Sequence, residues 1–320
     1  MNIDKNQKSN KSVKQTTIAG QDLIGMSDFH PFKSLKAKNK YLAFENKMVE
    51  EWPIISEEKT VRTSYGQTFM RISGPENAQP LVLLPGGGSN SLIWHANIKA
   101  FSSVYRTYAL DNIYDFGRSV YIKKMKTPDD FTQWLDELFD TLSLGQNLRI
   151  VGYSYGGWVT GNYAVSHPER LSRVILIAPV FSIQPITKAM VWDMVLGILP
   201  FKYTRRCSLY STWKDLLISG KEGKKIVDDR VEYFNIAMKS FKFKLGVQPN
   251  MLTDTELNKL SMPVLYLIGE HDTVCNPKLA IERLNKVAPE IKTELISGTG
   301  HDLMFTHTEM VNNTMLNFLK

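Results

Sequence analysis

An α/β fold is expected for this chain of 320 residues: a mostly parallel sheet of eight strands flanked by helices, with a helical segment inserted after the sixth strand. Three observations carry that expectation. Short apolar runs alternate with longer stretches of helical periodicity, the pattern of buried parallel strands and their crossovers. One of those runs ends in Gly152-Tyr153-Ser154-Tyr155-Gly156 and passes directly into a helical stretch. The rhythm then breaks between Ala178 and Pro263, an interval far longer than a crossover needs.

Residues 1–30 are polar and include Lys5, Lys8, Lys11 and Lys14, so they read as a solvated, disordered tail. Residues 31–320 read as one domain. Leu35, Tyr41, Leu42, Phe44, Met48 and Trp52 form a helical stripe that Pro53 stops. Thr60–Ser64 and Thr68–Ile72 are strand-like and joined through Tyr65-Gly66-Gln67. The buried strands follow at Leu81–Leu84, Tyr105–Leu110, Leu148–Val151, Val174–Ile177, Val264–Ile268 and Thr293–Ile296. Between them, helices are expected over Pro128–Leu142, Tyr155–Ser166, Pro277–Val287 and Thr308–Phe318.

The interval 181–258 reads as a helical cap over the carboxyl ends of the strands. Its apolar stretch from Ala189 to Phe201 is too short to span a membrane and contains Asp193, so it reads as an apolar lid or a buried helix. Met190, Trp192, Met194 and Phe201, with Trp94, are candidates for pocket lining, whereas Trp158 fits the core.

Composition excludes several classes. With 43% hydrophobic and 22% charged residues the chain has ample material for a large core. The net charge of +7 is spread along the sequence without a basic-aromatic stripe, so no nucleic-acid partner is expected. Cys207 and Cys275 alone cannot make a disulfide framework and point to a reducing compartment. No apolar leader or membrane span is visible, so a cytoplasmic setting is the expectation. Neither a metal-ligand spacing nor a P-loop or G-x-G-x-x-G pattern occurs, and no metal or cofactor is expected.

The decisive motif is Gly152-Tyr153-Ser154-Tyr155-Gly156. A serine on a sharp strand-to-helix turn projects its hydroxyl outward, and the positions two before and two after it must lack side chains. A serine hydroxyl needs a base to take its proton, and that base needs an acid to fix its tautomer. Among six histidines, His301 lies in the glycine-containing loop just beyond the last expected strand. Asp272 follows the strand Val264–Ile268 and is the expected acid; Glu270 and Asp302 are its competitors. Backbone donors for a developing oxyanion are expected from Tyr155 and from Gly87 in Pro85-Gly86-Gly87-Gly88, with Gly88 a possible substitute. The loop Asp111–Ser119 reads as structural, and Cys275 as a buried or loop thiol rather than a nucleophile.

Taken together, Pro85-Gly86-Gly87, Asp111 through Gly117-Arg118-Ser119, Gly152–Gly157, Gly269-Glu270-His271-Asp272 and Gly300-His301 resemble the α/β-hydrolase superfamily, specifically the capped bacterial carboxylesterases with an extra N-terminal helix. The resemblance covers about Phe32 to Lys320. It implies a cofactor-free serine hydrolase with Ser154, Asp272 and His301 as its triad, acting on small or medium carboxylic esters. Many relatives carry histidine where this chain has Pro85, but the donor is a main-chain N–H two residues later, so the oxyanion site is expected to persist. The same triad also serves C–C hydrolases, thioesterases and aminopeptidases, and the fold also houses non-catalytic binders of small ligands. Sequence leaves the natural substrate and the oligomeric state open.

Overall fold

In a computed structural model, residues 26–320 are described apart from Phe243 and Leu245. Most of the lysine-rich tail, through residue 25, therefore lies outside the described residues. Among the described residues nine strands form one sheet: β1 (Glu57–Thr63), β2 (Gly66–Ser73), β3 (Pro80–Leu84), β4 (Arg106–Leu110), β5 (Val120–Tyr121), β6 (Leu148–Tyr153), β7 (Leu171–Ile177), β8 (Val264–Gly269) and β9 (Lys292–Ile296). Their order is β1-β2-β4-β3-β6-β7-β8-β9, with the short β5 pairing to β2 off this path. From β4 to β9 every pairing along the path is parallel, while β2 is antiparallel to both β1 and β4. All eight expected strands are present.

The first hairpin turns one step earlier than the sequence suggested. Thr63 pairs with Gly66, so Ser64 and Tyr65 form the loop and both strands run longer. Gly66 is used for close approach rather than for the turn. Its φ is +137°, and a Cβ there would lie 2.1 Å from the carbonyl oxygen of Val120 in β5.

Helices follow from stripes and caps. Leading the described domain, α1 (Leu35–Glu50) is capped by Ser34, whose hydroxyl accepts from the Ala37 N–H at 3.2 Å. Before β4 comes the short α2 (Ile98–Ser102). α3 (Pro128–Thr141) starts with proline and buries Phe131, Trp134, Leu135, Leu138 and Phe139 at helical spacing. α4 (Tyr155–Ser166) packs on α3, β6 and β7.

Between β7 and β8 the chain forms α5 (Lys188–Ile198), α6 (Lys202–Thr212), α7 (Lys214–Ile218), α8 (Lys221–Ser240) and α9 (Asp254–Asn258). The N-terminal helix docks on this insertion. Phe32 and Tyr41 pack with Tyr233, Ile236, Ala237 and Phe241 in a small apolar cluster of their own, and the Tyr41 and Tyr233 hydroxyls are 3.0 Å apart. The chain closes with α10 (Pro277–Val287), α11 (Leu303–Thr306) and α12 (Thr308–Leu319). Among the described residues no helix is long and apolar enough to cross a membrane.

One expectation about the insertion is corrected. Trp192, Met194 and Phe201 are 68%, 50% and 63% exposed, so they are surface residues rather than pocket lining. The inward face of α5 is instead its polar and small one, Asp193 and Gly197. Gly197 offers its carbonyl to Arg205 Nε at 3.3 Å, and Asp193 accepts from Thr212 at 3.5 Å. Trp94 and Trp158 are fully buried in the main core.

Candidate active site

Three loops at the carboxyl ends of parallel strands meet in one place. At the end of β6, Ser154 adopts φ 53° and ψ −114° and begins α4. Its backbone is clamped there: its N–H donates to the Ile177 carbonyl at 2.8 Å, and its own carbonyl accepts from Trp158 and Val180 at 3.1 and 3.2 Å. The flanking glycines are sterically required. A Cβ on Gly152 would sit 2.3 Å from the Gly156 oxygen, and one on Gly156 would sit 2.4 Å from the Leu84 oxygen.

Beyond β8, Asp272 is buried, and its Oδ1 accepts from the Val274 and Cys275 N–H groups at 2.7 and 3.3 Å. Those bonds aim Oδ2 at His301 Nδ1, 2.8 Å away. His301, in the loop after β9, is likewise buried, and its Nε2 lies 3.0 Å from Ser154 Oγ. In the tautomer that donates Nδ1–H to Asp272, Nε2 is left to accept from the serine hydroxyl. The loop is held by Tyr153, whose hydroxyl donates to the His301 carbonyl at 2.9 Å. Sequence reading overlooked that role because the residue between glycine and serine is unconstrained by the motif.

The competing acids are committed elsewhere. Glu270 accepts from the Gly298 N–H at 3.2 Å, and Asp302 Oδ2 accepts from the Leu216 N–H of α7 at 2.6 Å. Burial raises the Asp302 carboxyl above its ordinary range, against the pull of that amide. The Cys275 thiol is buried beside Tyr266, and burial pushes it up to about 12, so it is a thiol and not a thiolate near neutrality.

Against the serine lies the loop after β3. A Cβ on Gly86 would be 3.3 Å from the Ser154 Cβ, and one on Gly87 would be 3.4 Å from the Tyr155 Cβ. As the first residue of α4, Tyr155 has an N–H with no intrahelical acceptor. The Gly88 N–H is not available, because it donates to Asp115 Oδ2 at 2.9 Å. Asp111 has the structural part expected of it: its carboxylate accepts from the Ser91 and Arg118 N–H groups at 2.8 and 2.7 Å. Among the described residues no cluster of three or more histidine, cysteine or acidic side chains has the arrangement of a metal site.

Residues 79–206 match the profile of the alpha/beta hydrolase fold family. Carboxylesterase YbfK of Bacillus subtilis (strain 168) is 31% identical over 304 residues, covering 92% of this chain and 98% of that protein. The chain belongs to the α/β-hydrolase family. A second relative of this hydrolase, the carboxylesterase nap of the same organism, is 29% identical over 292 residues, covering 87% of this chain and 92% of the relative. Among solved structures, the naproxen esterase of B. subtilis superposes with a TM-score of 0.80 at 28% identity over 92% of this chain and 99% of that one. The carboxylesterase CesB (YbfK) gives 0.79 at 28% identity over 89% and 99%.

Two further residues of the hydrolase near the site were missed by sequence reading. Asp115 holds the Gly88 amide, and burial raises its carboxyl to about 6 despite Lys244, the Gly88 and Phe116 N–H groups and Arg230. Arg230 of α8 is the other. Neither lies in a motif, and each becomes visible only when the insertion is folded over the loops.

Proposed function

We propose that this enzyme cleaves carboxylic esters of small or medium size by acyl transfer through Ser154 to water. The observation that carries the reading is the continuous chain from Ser154 Oγ through His301 to Asp272, with steps of 3.0 and 2.8 Å. His301 Nε2 takes the hydroxyl proton as Oγ attacks the ester carbonyl. The oxyanion receives the N–H groups of Gly87 and Tyr155, and the commitment of the Gly88 amide to Asp115 favours Gly87 as the loop donor. The tetrahedral species collapses, His301 gives its proton to the leaving alcohol, and water repeats the sequence on the acyl-enzyme.

In this reading the insertion 181–258 acts as the cap of the substrate site. A cytoplasmic setting is part of the same proposal, supported by two free thiols, Cys207 and Cys275. The test is Ser154→Ala assayed on short-chain nitrophenyl esters. The expected result is a kcat loss on the order of 10⁶-fold together with loss of covalent labelling by a fluorophosphonate. Near-normal turnover by the variant overturns the reading.

A further inference from the structure

The guanidinium of Arg230 is carried by α8 of the insertion. It is over the rings of Trp213 and Tyr233, 5.3 Å from each centroid. Trp213 in turn stacks on Phe305, just beyond His301, at 4.8 Å and 29°. Phe234, the residue after Tyr233, rests on the glycine loop, where a Cβ on Gly88 would come 2.9 Å from its Cε2. Arg230 also acts electrostatically on Tyr153, the neighbour of Ser154, and on Asp115.

What this guanidinium lacks is an acceptor. Among the described residues no oxygen takes a hydrogen bond from it and no carboxylate pairs with it; its contacts are the two rings. Asp115 accepts the Gly88 N–H on Oδ2 at 2.9 Å and the Phe116 N–H on Oδ1 at 2.7 Å, and among the described residues it forms no hydrogen bond or ion pair with Arg230. A second cation faces the same carboxylate. Lys244 Nζ sits over the rings of Tyr114 and Tyr121 at 4.5 and 4.4 Å, and burial lowers it to about 8. The other groups that act on Arg230 are the phenols of Tyr233, Tyr153 and Tyr41, which burial keeps neutral. Both cations thus act on the same carboxylate from a distance, and among the described residues neither forms an ion pair with it.

A guanidinium has five donors in a planar fork that matches a carboxylate bidentately, and with rings over its face those donors remain at its edge. Arg230 is only partly buried and none of its nitrogens is sealed from solvent, so these donors stay open to water or to an incoming acceptor. We infer that Arg230 anchors a carboxylate carried by the substrate, so that the esters taken by this site bear an acidic group near the scissile carbonyl, as half-esters of dicarboxylic acids do. The inference rests on Ser154 being the nucleophile. A guanidinium that only braced the insertion through its ring contacts would not discriminate between charged and neutral esters.

The experiment uses two matched pairs on the full-length chain: monomethyl adipate against methyl hexanoate, with the acid on the acyl side, and 3-acetoxybenzoate against phenyl acetate, with the acid on the leaving side. For at least one pair, the wild type is expected to favour the acidic ester in kcat/KM by about tenfold or more. In Arg230→Met that ratio is expected to fall at least about tenfold, with part retained in Arg230→Lys. The pair that responds identifies the side on which the carboxylate lies. Equal ratios in wild type and Arg230→Met for both pairs, or a wild type that rejects both acidic esters, overturn the proposal. If Arg230→Met fails to fold, inhibition of the wild type decides: adipate is expected to compete more strongly than hexanoate, and equal inhibition overturns the inference. Turnover of the neutral esters by Ser154→Ala tests the nucleophile separately, so the two failures are distinguishable.

Discussion

Gly88 donates its backbone N–H to Asp115 Oδ2 at 2.9 Å, and this bond separates two neighbouring amides that look equivalent in sequence. It also links the loop after β3 to a carboxyl whose charge depends on pH. Burial holds Asp115 at about 6 against an ordinary 3.8, so the native state keeps its proton to higher pH than the unfolded chain does. The stability contributed by this group is therefore present below about 4 and is lost as pH rises through about 6. The charges facing it are Lys244 and Arg230, with the Tyr155 phenol nearby. Asp115→Asn removes the titration, so the Tm difference, variant minus wild type, is expected to become more positive between pH 4 and pH 7. Thermal denaturation at both values checks this; a constant difference contradicts it.

In the proposed mechanism Asp272 fixes which nitrogen of His301 carries the proton. Asp272→Asn keeps the shape but permits the wrong tautomer, and kcat is expected to fall by about 10⁴-fold with little change in Tm. Steady-state kinetics beside thermal melts separate this from misfolding.

The elbow glycines are predicted to matter for packing as well as for chemistry. In Gly156→Ala the new methyl meets the Leu84 and Pro85 oxygens at 2.4 and 2.5 Å, backbone atoms that cannot rotate away. The expected cost is about 1–3 kcal/mol, read by urea denaturation, with a fall in kcat because Ser154 moves. A variant as stable and active as the wild type contradicts this account of the motif.

Part of this was legible in the chain and part was not. Each member of the Ser154–Asp272–His301 chain follows a strand that announces itself by an apolar run, and the elbow adds a steric constraint written in two glycines. Asp115 and Arg230 carry no such local mark: their surroundings come from loops and an insertion far away in sequence. The apolar stretch Ala189–Phe201 misled for a related reason. Hydropathy identifies the helix but not the face it turns inward, and α5 docks on α6 through Asp193 and Gly197, leaving Trp192 and Phe201 outside.

Arg71 provides a stability test away from the site. Its side chain is fully buried, pairs with the fully buried Glu45 at 3.2 Å and also bonds Glu58, while Arg118 reaches Glu45 at 3.2 Å and Glu58 at 3.0 Å. Burial raises the Glu45 carboxyl, and Arg118 and Arg71 oppose that rise. Arg71→Met is expected to cost about 3–5 kcal/mol, because it strips cationic support from a carboxylate that water cannot reach. Adding Glu45→Gln is expected to recover part of the loss; a double variant no better than the single one rules out the electrostatic explanation.

The insertion is fastened to the rest of the chain at several corners: α8 to α1 through Tyr41 and Tyr233, α7 to the His301 loop through Asp302, and the stretch after α8 to Tyr155, whose hydroxyl donates to the Val247 carbonyl at 3.0 Å. In the proposed cap role, lifting this insertion would have to break these bonds. The contacts that hold the insertion on the body of the enzyme would then also set how readily an ester reaches Ser154, joining turnover to stability.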